Sequence, residues 1–166
     1  LTKVLSSVGM LFQGGALFDS LTVGGNVAFG LRRLTDNTEE QIEKLVTKYL
    51  EMVELRGVEN KLPEDLSIGM KRRVALARSI ATSPRYIFYD EPTTGLDPFT
   101  AREINDLILE IKEKYKTSSI VVTHDMKSAK IVADCIILLQ KGEIIARGTY
   151  EELKRDNEDI VKSFFR

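Results

Sequence analysis

The sequence predicts an α/β fold built on a parallel sheet. The first observation is the order of elements: the apolar run Tyr86–Tyr89 precedes a helical pattern from Pro98 to about Tyr115, and the run Ile120–Thr123 follows it. Two strands separated by such a helix pair in parallel, because the helix crosses back over the sheet. The second observation is composition, since 166 residues that are 43% hydrophobic and 30% charged are typical of a globular domain.

Charge and cysteine content exclude several classes of protein. Lys and Arg number 24 against 25 acids, and the net charge of −1 provides no general positive field for nucleic acid or anionic membranes. The lone Cys135 fits a reducing compartment better than a disulfide framework. No apolar stretch approaches the roughly 18 residues that a spanning helix needs. We therefore expect a cytoplasmic protein whose membrane contacts, if it has any, come from a partner chain.

The first half of the chain predicts one strand followed by helices. Ser6–Phe12 reads as a short buried strand that ends at a Gln-Gly-Gly break. A helix begins after Thr22, and a second, amphipathic helix begins with Asn37 or Thr38 as its N-cap. The apolar stripe of the second helix consists of Ile42, Leu45, Val46, Tyr49, Met52 and Val53.

The second half predicts alternating helices and strands. Ser67 begins a helix that ends before Pro84, and its apolar face consists of Val74, Ala77, Ile80 and Ala81. A short helix is expected around Asp125–Ala133. The apolar runs on either side of Lys141-Gly142 predict a hairpin, and Thr149 with Glu152 predicts the capping box of a last helix.

Two adjacent acids, Asp90 and Glu91, directly follow the apolar run Tyr86–Tyr89, which reads as a buried strand. The carboxyl ends of parallel strands form the crevice in which α/β sheets bind ligands. Two neighbouring carboxylates repel each other there unless a cation offsets their charge. The pair therefore indicates a metal site. A lone Asp-Glu pair would fit a solvated turn, but the following "PTTGLD" favours the metal site.

Four motifs, in order, resemble those of the ATP-binding cassette (ABC) ATPases. The segment "YIFYDE" resembles the Walker B strand, "LSIGM" with "RVALARSI" the ABC signature, "TGLDP" the D-loop and "VVTHD" the switch strand. Gln13 in "LFQ" matches the Q-loop glutamine. Each motif alone has an ordinary structural reading: His124 could end a strand, Asp97 could cap a helix and Gln13 could lie in a turn. Their order along one chain supports the resemblance.

The resemblance implies a role for each motif residue. Asp90 would anchor the metal through the magnesium-bound water shell, and Gln13 would contact the metal and sense the transmembrane partner. Glu91 would polarise the attacking water, and His124 would be a donor near the γ-phosphate of ATP. The implied catalytic residues are therefore Glu91, His124 and Gln13. The residues implied to bind nucleotide held by the opposite subunit are Ser67, Gly69, Met70 and Asp97.

The resemblance also implies a division of the chain. Residues 1–16 would form a strand and the Q-loop of the catalytic core, and residues 17–84 the helical subdomain with the signature. Residues 85–166 would form the second half of the core. The implied fold is a partial P-loop NTPase core of the RecA-like type, with a parallel sheet, joined to the ABC helical subdomain.

The segments "GMLFQGGALFDSLTVGGNVAFGLR" and "GMKRRVALAR" are similar to ATPases of lipid-trafficking transporters of the MCE, or maintenance-of-lipid-asymmetry, type. In that group the signature glutamine is often methionine, as at Met70. The resemblance implies an ATPase that uses ATP and Mg²⁺ to drive lipid transport. Its implied partners are a second ATPase subunit and integral membrane permease subunits, without nucleic acid, at the inner face of the cell membrane. The segment Gln13–Thr22 combines glycines with Leu17, Phe18 and Leu21, so we expect it to dock the permease. The alternative is that these apolar residues fold back onto the helical subdomain.

Three features depart from the family pattern. No G-x-x-x-x-G-K-[ST] motif occurs, although Gly9–Gly14 and Gly25–Gly30 have the glycine spacing. That loop supplies the backbone cradle and the lysine for the β- and γ-phosphates, so we expect it upstream, together with the adenine-stacking aromatic residue. Ile68 replaces the first signature glycine. Gly25 stands where relatives often have a capping glutamate after Thr22, which predicts a weakly capped helix.

The resemblance leaves a gap in the sheet. In the family, the strand before the phosphate loop lies between the strand ending at Thr123 and the strand carrying Ile136–Leu139. Buried backbone groups without partners cost roughly 1–3 kcal/mol each. We therefore expect Ser6–Phe12, Tyr86–Tyr89 and Ile120–Thr123 to pair as a three-stranded parallel sheet. The Ile136–Gly148 hairpin would lie apart, or another chain's strand would fill the gap.

Two other functions fit parts of the pattern. A soluble ABC protein that acts on nucleic acid or ribosomes would share these motifs, but such proteins usually carry coiled coils or tandem cassettes, and neither is visible. The chain could instead be a non-catalytic interaction fragment that presents its signature and coupling surface to a partner. Nucleotide affinity would separate a catalyst from such a fragment.

Overall fold

The computed structural model describes residues 7–165 and has the predicted α/β class. The chain divides into two compact units, Leu1–Val122 and Thr123–Arg166. This division falls inside the predicted third segment, residues 85–166, and the predicted three-part organisation stays a prediction. None of the helices within residues 7–165 combines the length and apolarity needed to cross a bilayer.

The first unit places helices between its strands. Its strands are β1 (Val8–Leu11), β2 (Tyr86–Asp90) and β3 (Ser118–Val122). Its α-helices are α1 (Val23–Leu34), α2 (Glu39–Met52), α3 (Ile68–Ile80) and α4 (Pro98–Tyr115), and a 3-10 helix, Pro63–Asp65, precedes α3. Helices α1, α2 and α3 pack against one another around a buried core that includes Val27, Leu31, Ile42, Leu50, Val74 and Leu76.

Side-chain caps begin these helices where the sequence predicts them. Thr38 is the cap of α2, and Gln41 completes its capping box. Ser67 and Asp97 cap α3 and α4 through their side chains. The Thr22 hydroxyl caps α1, even though α1 has no acidic residue in its first turn. Each cap satisfies backbone N–H groups that the first helical turn leaves without partners.

The second unit contains a hairpin and short helices. These are α5 (Met126–Val132), β4 (Ile136–Gln140), β5 (Glu143–Gly148), α6 (Tyr150–Lys154), α7 (Asp159–Lys162) and a 3-10 helix, Ser163–Phe165. Lys141 and Gly142 connect the antiparallel strands β4 and β5, and both have positive φ, 51° and 85°. Such a two-residue connection matches the twist of paired strands, so the predicted hairpin is confirmed. Thr149 and Glu152 form the predicted capping box.

Strands β1, β2 and β3 form one parallel sheet in that order. Met10, Phe88 and Ile120 lie level with one another across it. The predicted three-stranded sheet is therefore confirmed, and β4 with β5 forms a separate two-stranded sheet, as expected for the hairpin. β3 begins earlier than predicted and ends before Thr123, whereas Ser6 lies outside the described residues.

The strands β1 and β2 are not buried on both faces, and that prediction is wrong. Leu11, Ile87 and Tyr89 are buried, whereas the side chains that alternate with them are exposed among residues 7–165. The exposed apolar side chains on the three strands and directly after β1 are Met10, Phe12, Tyr86, Phe88, Ile120 and Val122. A run of consecutive apolar residues cannot reveal this arrangement, because it places apolar side chains on both faces.

Gly9 lets β1 pack closely against α3. A Cβ atom at this position would lie 2.1 Å from the Ser79 carbonyl oxygen, which belongs to the helix backbone. We expect Gly9→Ala to lower the free energy of unfolding by about 2 kcal/mol, because a backbone clash is relieved only by shifting an element. Urea unfolding of both proteins measures the difference.

The control for Gly9→Ala is Gly30→Ala. At Gly30 in α1, a new Cβ atom would meet only the Thr82 Cγ2 methyl group, at 3.2 Å. Alanine is also favoured over glycine inside a helix by about 1 kcal/mol, so Gly30→Ala should be close to neutral. Equal stability of the Gly9→Ala protein and the unaltered chain would contradict the proposed close contact.

Candidate functional site

Three predicted site residues lie at one edge of the parallel sheet. Asp90 is the last residue of β2 and lies level with Val122 of β3. Gln13 follows β1, whose last residue, Leu11, pairs with Tyr89 of β2. Because β1 and β2 are neighbouring parallel strands, their carboxyl ends share an edge. The structure therefore brings the Gln13 turn, Asp90 and the adjoining Glu91 to that edge.

Glu91 has an unusual backbone conformation. Its φ is 47°, in the left-handed region that non-glycine residues rarely adopt. Its N–H donates to the Val122 carbonyl at 2.9 Å, which holds the turn against β3. The Thr94 hydroxyl donates to Glu91 Oε2 at 2.6 Å. The carboxylate for which the resemblance implies water activation is therefore held by a neighbouring side chain.

The donor set at this edge suits a magnesium ion that also binds phosphates. Asp90 offers carboxylate oxygens and Gln13 an amide oxygen, and both residues reach the surface. Mg²⁺ prefers oxygen ligands and is usually held by one or two protein groups, with water and substrate phosphates completing its shell. No cluster of three or more His, Cys, Asp or Glu side chains within residues 7–165 forms an all-protein cage. Asp90 and Gln13 thus fit the group that the resemblance implies.

A second candidate region is a cleft of about 430 Å³ in the first unit. The N-termini of α3 and α4 both open onto it, through their caps Ser67 and Asp97. A helix N-terminus presents backbone N–H groups and the positive end of its dipole, which favour anions. The lining residues are Ser67, Ile68, Gly69, Met70, Arg73, Gly95, Leu96, Asp97, Thr100 and Glu103. The structure therefore brings together all four residues predicted to bind nucleotide in trans.

Asp97 serves as a helix cap within this cleft. Its carboxylate accepts the N–H groups of Phe99 and Thr100, each at 3.0 Å, and the Thr100 hydroxyl at 2.6 Å. The hydrogen bond from the Thr100 hydroxyl, followed by that from the Thr100 backbone, lowers the pKa of Asp97. The ordinary reading of Asp97 as an N-cap is correct, and its role toward nucleotide stays a prediction.

Ile68 places a large apolar side chain at the mouth of the cleft, where it is 62% exposed. We expect Ile68→Gly to tighten ATP-driven dimerisation by roughly threefold or more, equivalent to about 0.7 kcal/mol. The physical reason is that isoleucine crowds the approach of a phosphate to the N–H groups of α3. Analytical ultracentrifugation, with and without ATP, of a chain extended through the expected phosphate loop provides the measurement. Ile68→Ala is the control, because it removes the bulky side chain without adding the backbone flexibility of glycine. If the unaltered protein dimerises as tightly as Ile68→Gly, or more tightly, the expectation is contradicted.

Arg73 joins three elements beside the same cleft. Its side chain is 11% exposed, and its Nη1 donates to the Val53 carbonyl at 3.0 Å and to Glu54 Oε2 at 2.6 Å. Its Nη2 donates to Glu103 Oε2 of α4 at 2.9 Å. Sequence reasoning missed this residue, because adjacent arginines after a helix start are typical of a solvated helical face.

Two polar side chains, the half-buried Arg78 and the buried Asn26, hold the backbone of the predicted coupling segment, Gln13–Thr22. Arg78 of α3 donates to the Gly15 and Ala16 carbonyls, each at 2.8 Å. Asn26 accepts the Phe18 N–H at 2.8 Å and donates to the Phe18 carbonyl at 3.1 Å. The segment is therefore held from both sides, and neither Arg78 nor Asn26 was predicted to do this.

The apolar side chains of this segment are only partly covered. The Phe18 ring packs 4.5 Å from the Phe29 ring of α1, yet Phe18 is 42% exposed. Leu17 and Leu21 are half-buried. Part of this apolar surface thus folds onto the helical region, as the alternative to docking requires, and part stays accessible to a partner.

His124 follows β3 and belongs to the second unit. It directly precedes Asp125, whose carboxylate caps α5 by accepting the Lys127 N–H at 2.9 Å and the Ser128 hydroxyl at 2.7 Å. The predicted helix around Asp125–Ala133 is thus confirmed as α5 with its two caps. The role of His124 toward a phosphate stays a prediction.

Comparison with known proteins adds independent information. Residues 1–94 match the family described as ABC transporter. The intermembrane phospholipid transport system ATP-binding protein MlaF of Haemophilus influenzae is 41% identical over 166 residues, which is 100% of this chain and 63% of that protein. The methionine import ATP-binding protein MetN 1 of Salmonella choleraesuis is 39% identical over 154 residues, which is 92% of this chain and 44% of that protein.

A solved structure shows the same fold. It is the dimeric post-hydrolysis state of the ATP-binding cassette MJ0796 bound to ADP and Pi, with a TM-score of 0.78 and 33% identity. The match covers 87% of this chain and 63% of that chain. This chain therefore spans less than two thirds of the length of the proteins it resembles.

Proposed function

The chain belongs to the ABC transporter family, and on that premise we propose that it acts in the ATP-binding and ATP-hydrolysing subunit of a lipid transporter. The observation that carries the proposal is the sheet edge that holds Asp90, Glu91 and the Gln13 turn. A second observation supports it, since Ser67 and Asp97 open two helix N-termini onto one cleft. Phosphoryl transfer needs a carboxylate that holds a metal, a carboxylate that orients water and groups that bind phosphate. The sheet edge offers the two carboxylates, and the cleft offers helix N-termini that favour anions.

Each residue has a distinct part in the proposed reaction. Asp90 and Gln13 would hold Mg²⁺, which neutralises charge on the phosphates of bound ATP. Glu91 would orient the attacking water and accept a hydrogen bond from it through its carboxylate. His124 would donate a hydrogen bond to the γ-phosphate.

The cleft would complete the site of a second subunit. Ser67 and the N–H groups at the start of α3 would face the γ-phosphate of ATP bound by the opposite subunit. Two copies would therefore assemble as a homodimer, and MJ0796, which is 33% identical, is dimeric in its complex with ADP and Pi. The subunit would lie at the inner face of the cell membrane against a permease.

The transported substrate is proposed to be a lipid. Identity to the phospholipid transport protein MlaF is 41% along the whole chain, and Met70 matches a frequent feature of that group. The methionine importer MetN 1, at 39% identity, is the competing candidate. ATPase activity of the reconstituted transporter should respond to phospholipid in the vesicle and not to L-methionine, and stimulation by L-methionine would contradict the lipid assignment.

Phe18 should lie against the permease in the assembled transporter. We expect a Phe18→Cys protein to crosslink to a co-expressed permease through a short bifunctional thiol reagent, because Phe18 is exposed while its backbone is held by Asn26. Cys135 is exposed and is replaced by Ser beforehand. Mass spectrometry of the crosslinked band identifies the partner.

The control is a Phe99→Cys protein, because Phe99 is 72% exposed but lies on α4, outside the coupling segment. It should capture little or no permease. Equal capture by both variants would mean that exposure alone determines crosslinking. Capture of no membrane protein through Phe18→Cys would favour the alternative that this segment only packs onto the helical region.

A further inference from the structure

Arg72 is a buried cation beside the candidate site. It lies in the first turns of α3 and is 2% exposed. Arginine is almost never fully buried unless it is paired, because burial removes its charge from water. Within residues 7–165, its Nε and Nη1 have no hydrogen-bond partner. Its Nη2 donates to the Thr94 carbonyl at 3.0 Å.

Burying Arg72 carries a cost in stability. Buried donors without partners destabilise the folded state, and replacing a buried charge by an apolar residue of similar volume is often neutral or stabilising. Burial also lowers the pKa of Arg72, which shows the same penalty on its charged form. Core packing therefore does not explain why an arginine occupies position 72. An apolar residue could fill the same space, but it could not donate a hydrogen bond to the Thr94 carbonyl.

Thr94 links this arginine to Glu91. The Thr94 hydroxyl donates to Glu91 Oε2 at 2.6 Å, and the Thr94 N–H donates to the Glu91 carbonyl at 3.3 Å. Thr94 is thus held by Arg72 at its carbonyl and holds Glu91 with its hydroxyl. The positive φ of Glu91 turns the chain so that its carboxylate meets Thr94.

We propose that Arg72 and Thr94 are positioning residues for the Glu91 carboxylate, acting as a chain from helix α3 to the reacting water. This inference rests on the proposed function of Glu91. Arg72 lies on helix α3, and the cap of that helix, Ser67, lines the cleft. The contacts from Arg72 through Thr94 to Glu91 would therefore connect two sites. One is the cleft proposed to face ATP of the opposite subunit, and the other is the carboxylate proposed to act on the subunit's own ATP. Both residues would act through the geometry of Glu91, because the contacts in this chain run from Arg72 to Thr94 and from Thr94 to Glu91.

The test uses a chain extended through the expected phosphate loop. Thr94→Val keeps the shape of the side chain and removes the hydroxyl, whereas Thr94→Ser keeps the hydroxyl. We expect Thr94→Val to lower kcat about tenfold, with KM for ATP changed less than about twofold, because a misoriented general base slows the chemical step without weakening binding. Thr94→Ser should restore most of the rate.

Arg72 is tested in the same protein. Arg72→Met should lower kcat about fivefold, and the double variant Arg72→Met with Thr94→Val should be no slower than Thr94→Val alone, because residues in one chain of contacts are not additive. Lys71→Met removes a charge from the same turn of α3 and should leave kcat unchanged. In the nucleotide-free protein, Arg72→Met and Thr94→Val, but not Lys71→Met, should shift the amide NMR signal of Glu91.

Each outcome decides between alternatives. An unchanged kcat for Thr94→Val, or effects that multiply in the double variant, would overturn the positioning role. If Arg72→Met fails to fold, the comparison of Thr94→Val with Thr94→Ser still decides whether the hydroxyl matters. Loss of turnover in Glu91→Gln with full activity in Thr94→Val would refute this inference alone, whereas full activity in Glu91→Gln would refute the proposed role of Glu91.

Discussion

Replacing Glu91 by Gln should nearly abolish ATP hydrolysis while nucleotide binding persists. The amide keeps the size of the side chain but removes the negative charge that is proposed to polarise the attacking water. General-base catalysis contributes about 10²–10⁴-fold, so we expect kcat to fall at least about a hundredfold. The assay is phosphate release by a chain extended through the expected phosphate loop, together with equilibrium binding of a fluorescent ATP analogue.

Glu113→Gln is the control for Glu91→Gln, and His124→Ala tests a second residue of the proposed site. Glu113→Gln makes the same chemical change at an exposed position on α4 and should leave kcat unchanged. His124→Ala should also impair turnover, through loss of a donor near the γ-phosphate. If Glu91→Gln retained most of its kcat, another residue would have to orient the water.

The 166-residue chain by itself should show no appreciable ATPase activity. Asp90 and Glu91 are present, but the sequence contains no G-x-x-x-x-G-K-[ST] loop to hold the triphosphate beside them. Turnover should therefore stay well below the usual enzyme range of about 1 per second or more. A steady-state assay on the purified chain, with Mg²⁺ and ATP, is the measurement.

The same assay on a chain extended upstream provides the comparison. Addition of a segment that contains the phosphate loop should raise turnover from background into the measurable range. The Glu91→Gln form of the extended chain should return it to background, which guards against a contaminating ATPase. Turnover by the 166-residue chain near the usual range would mean that its own residues hold the triphosphate.

Much of the fold follows from local sequence chemistry. Helix α4 begins at Pro98 after the Asp97 cap and ends at Tyr115, as predicted, because a cap and a proline act on their immediate neighbours. The Lys141-Gly142 turn is predicted correctly for the same reason. The bounds of β1 and β3 are less accurate, because a strand extends only as far as it pairs with its neighbour, and that pairing involves distant residues.

The candidate site is predictable in part. The motif order identifies the residues at the sheet edge and around the cleft, since each motif is a short local pattern. The motifs do not predict the contacts of Arg72, Arg73 and Thr94. Arg73 reaches Glu103, 30 residues away, and Arg72 reaches Thr94, 22 residues away, so no local pattern reports either contact.

The sequence by itself determined the α/β class, the helix caps, the hairpin turn and the family motifs, because these depend on neighbouring residues and on apolar periodicity. Only the tertiary structure decided that one face of β1 and β2 is exposed and that two arginines of α3 are buried. It also decided that Thr94 holds Glu91. Burial and side-chain pairing depend on which distant segments pack together, and a linear pattern does not contain that information.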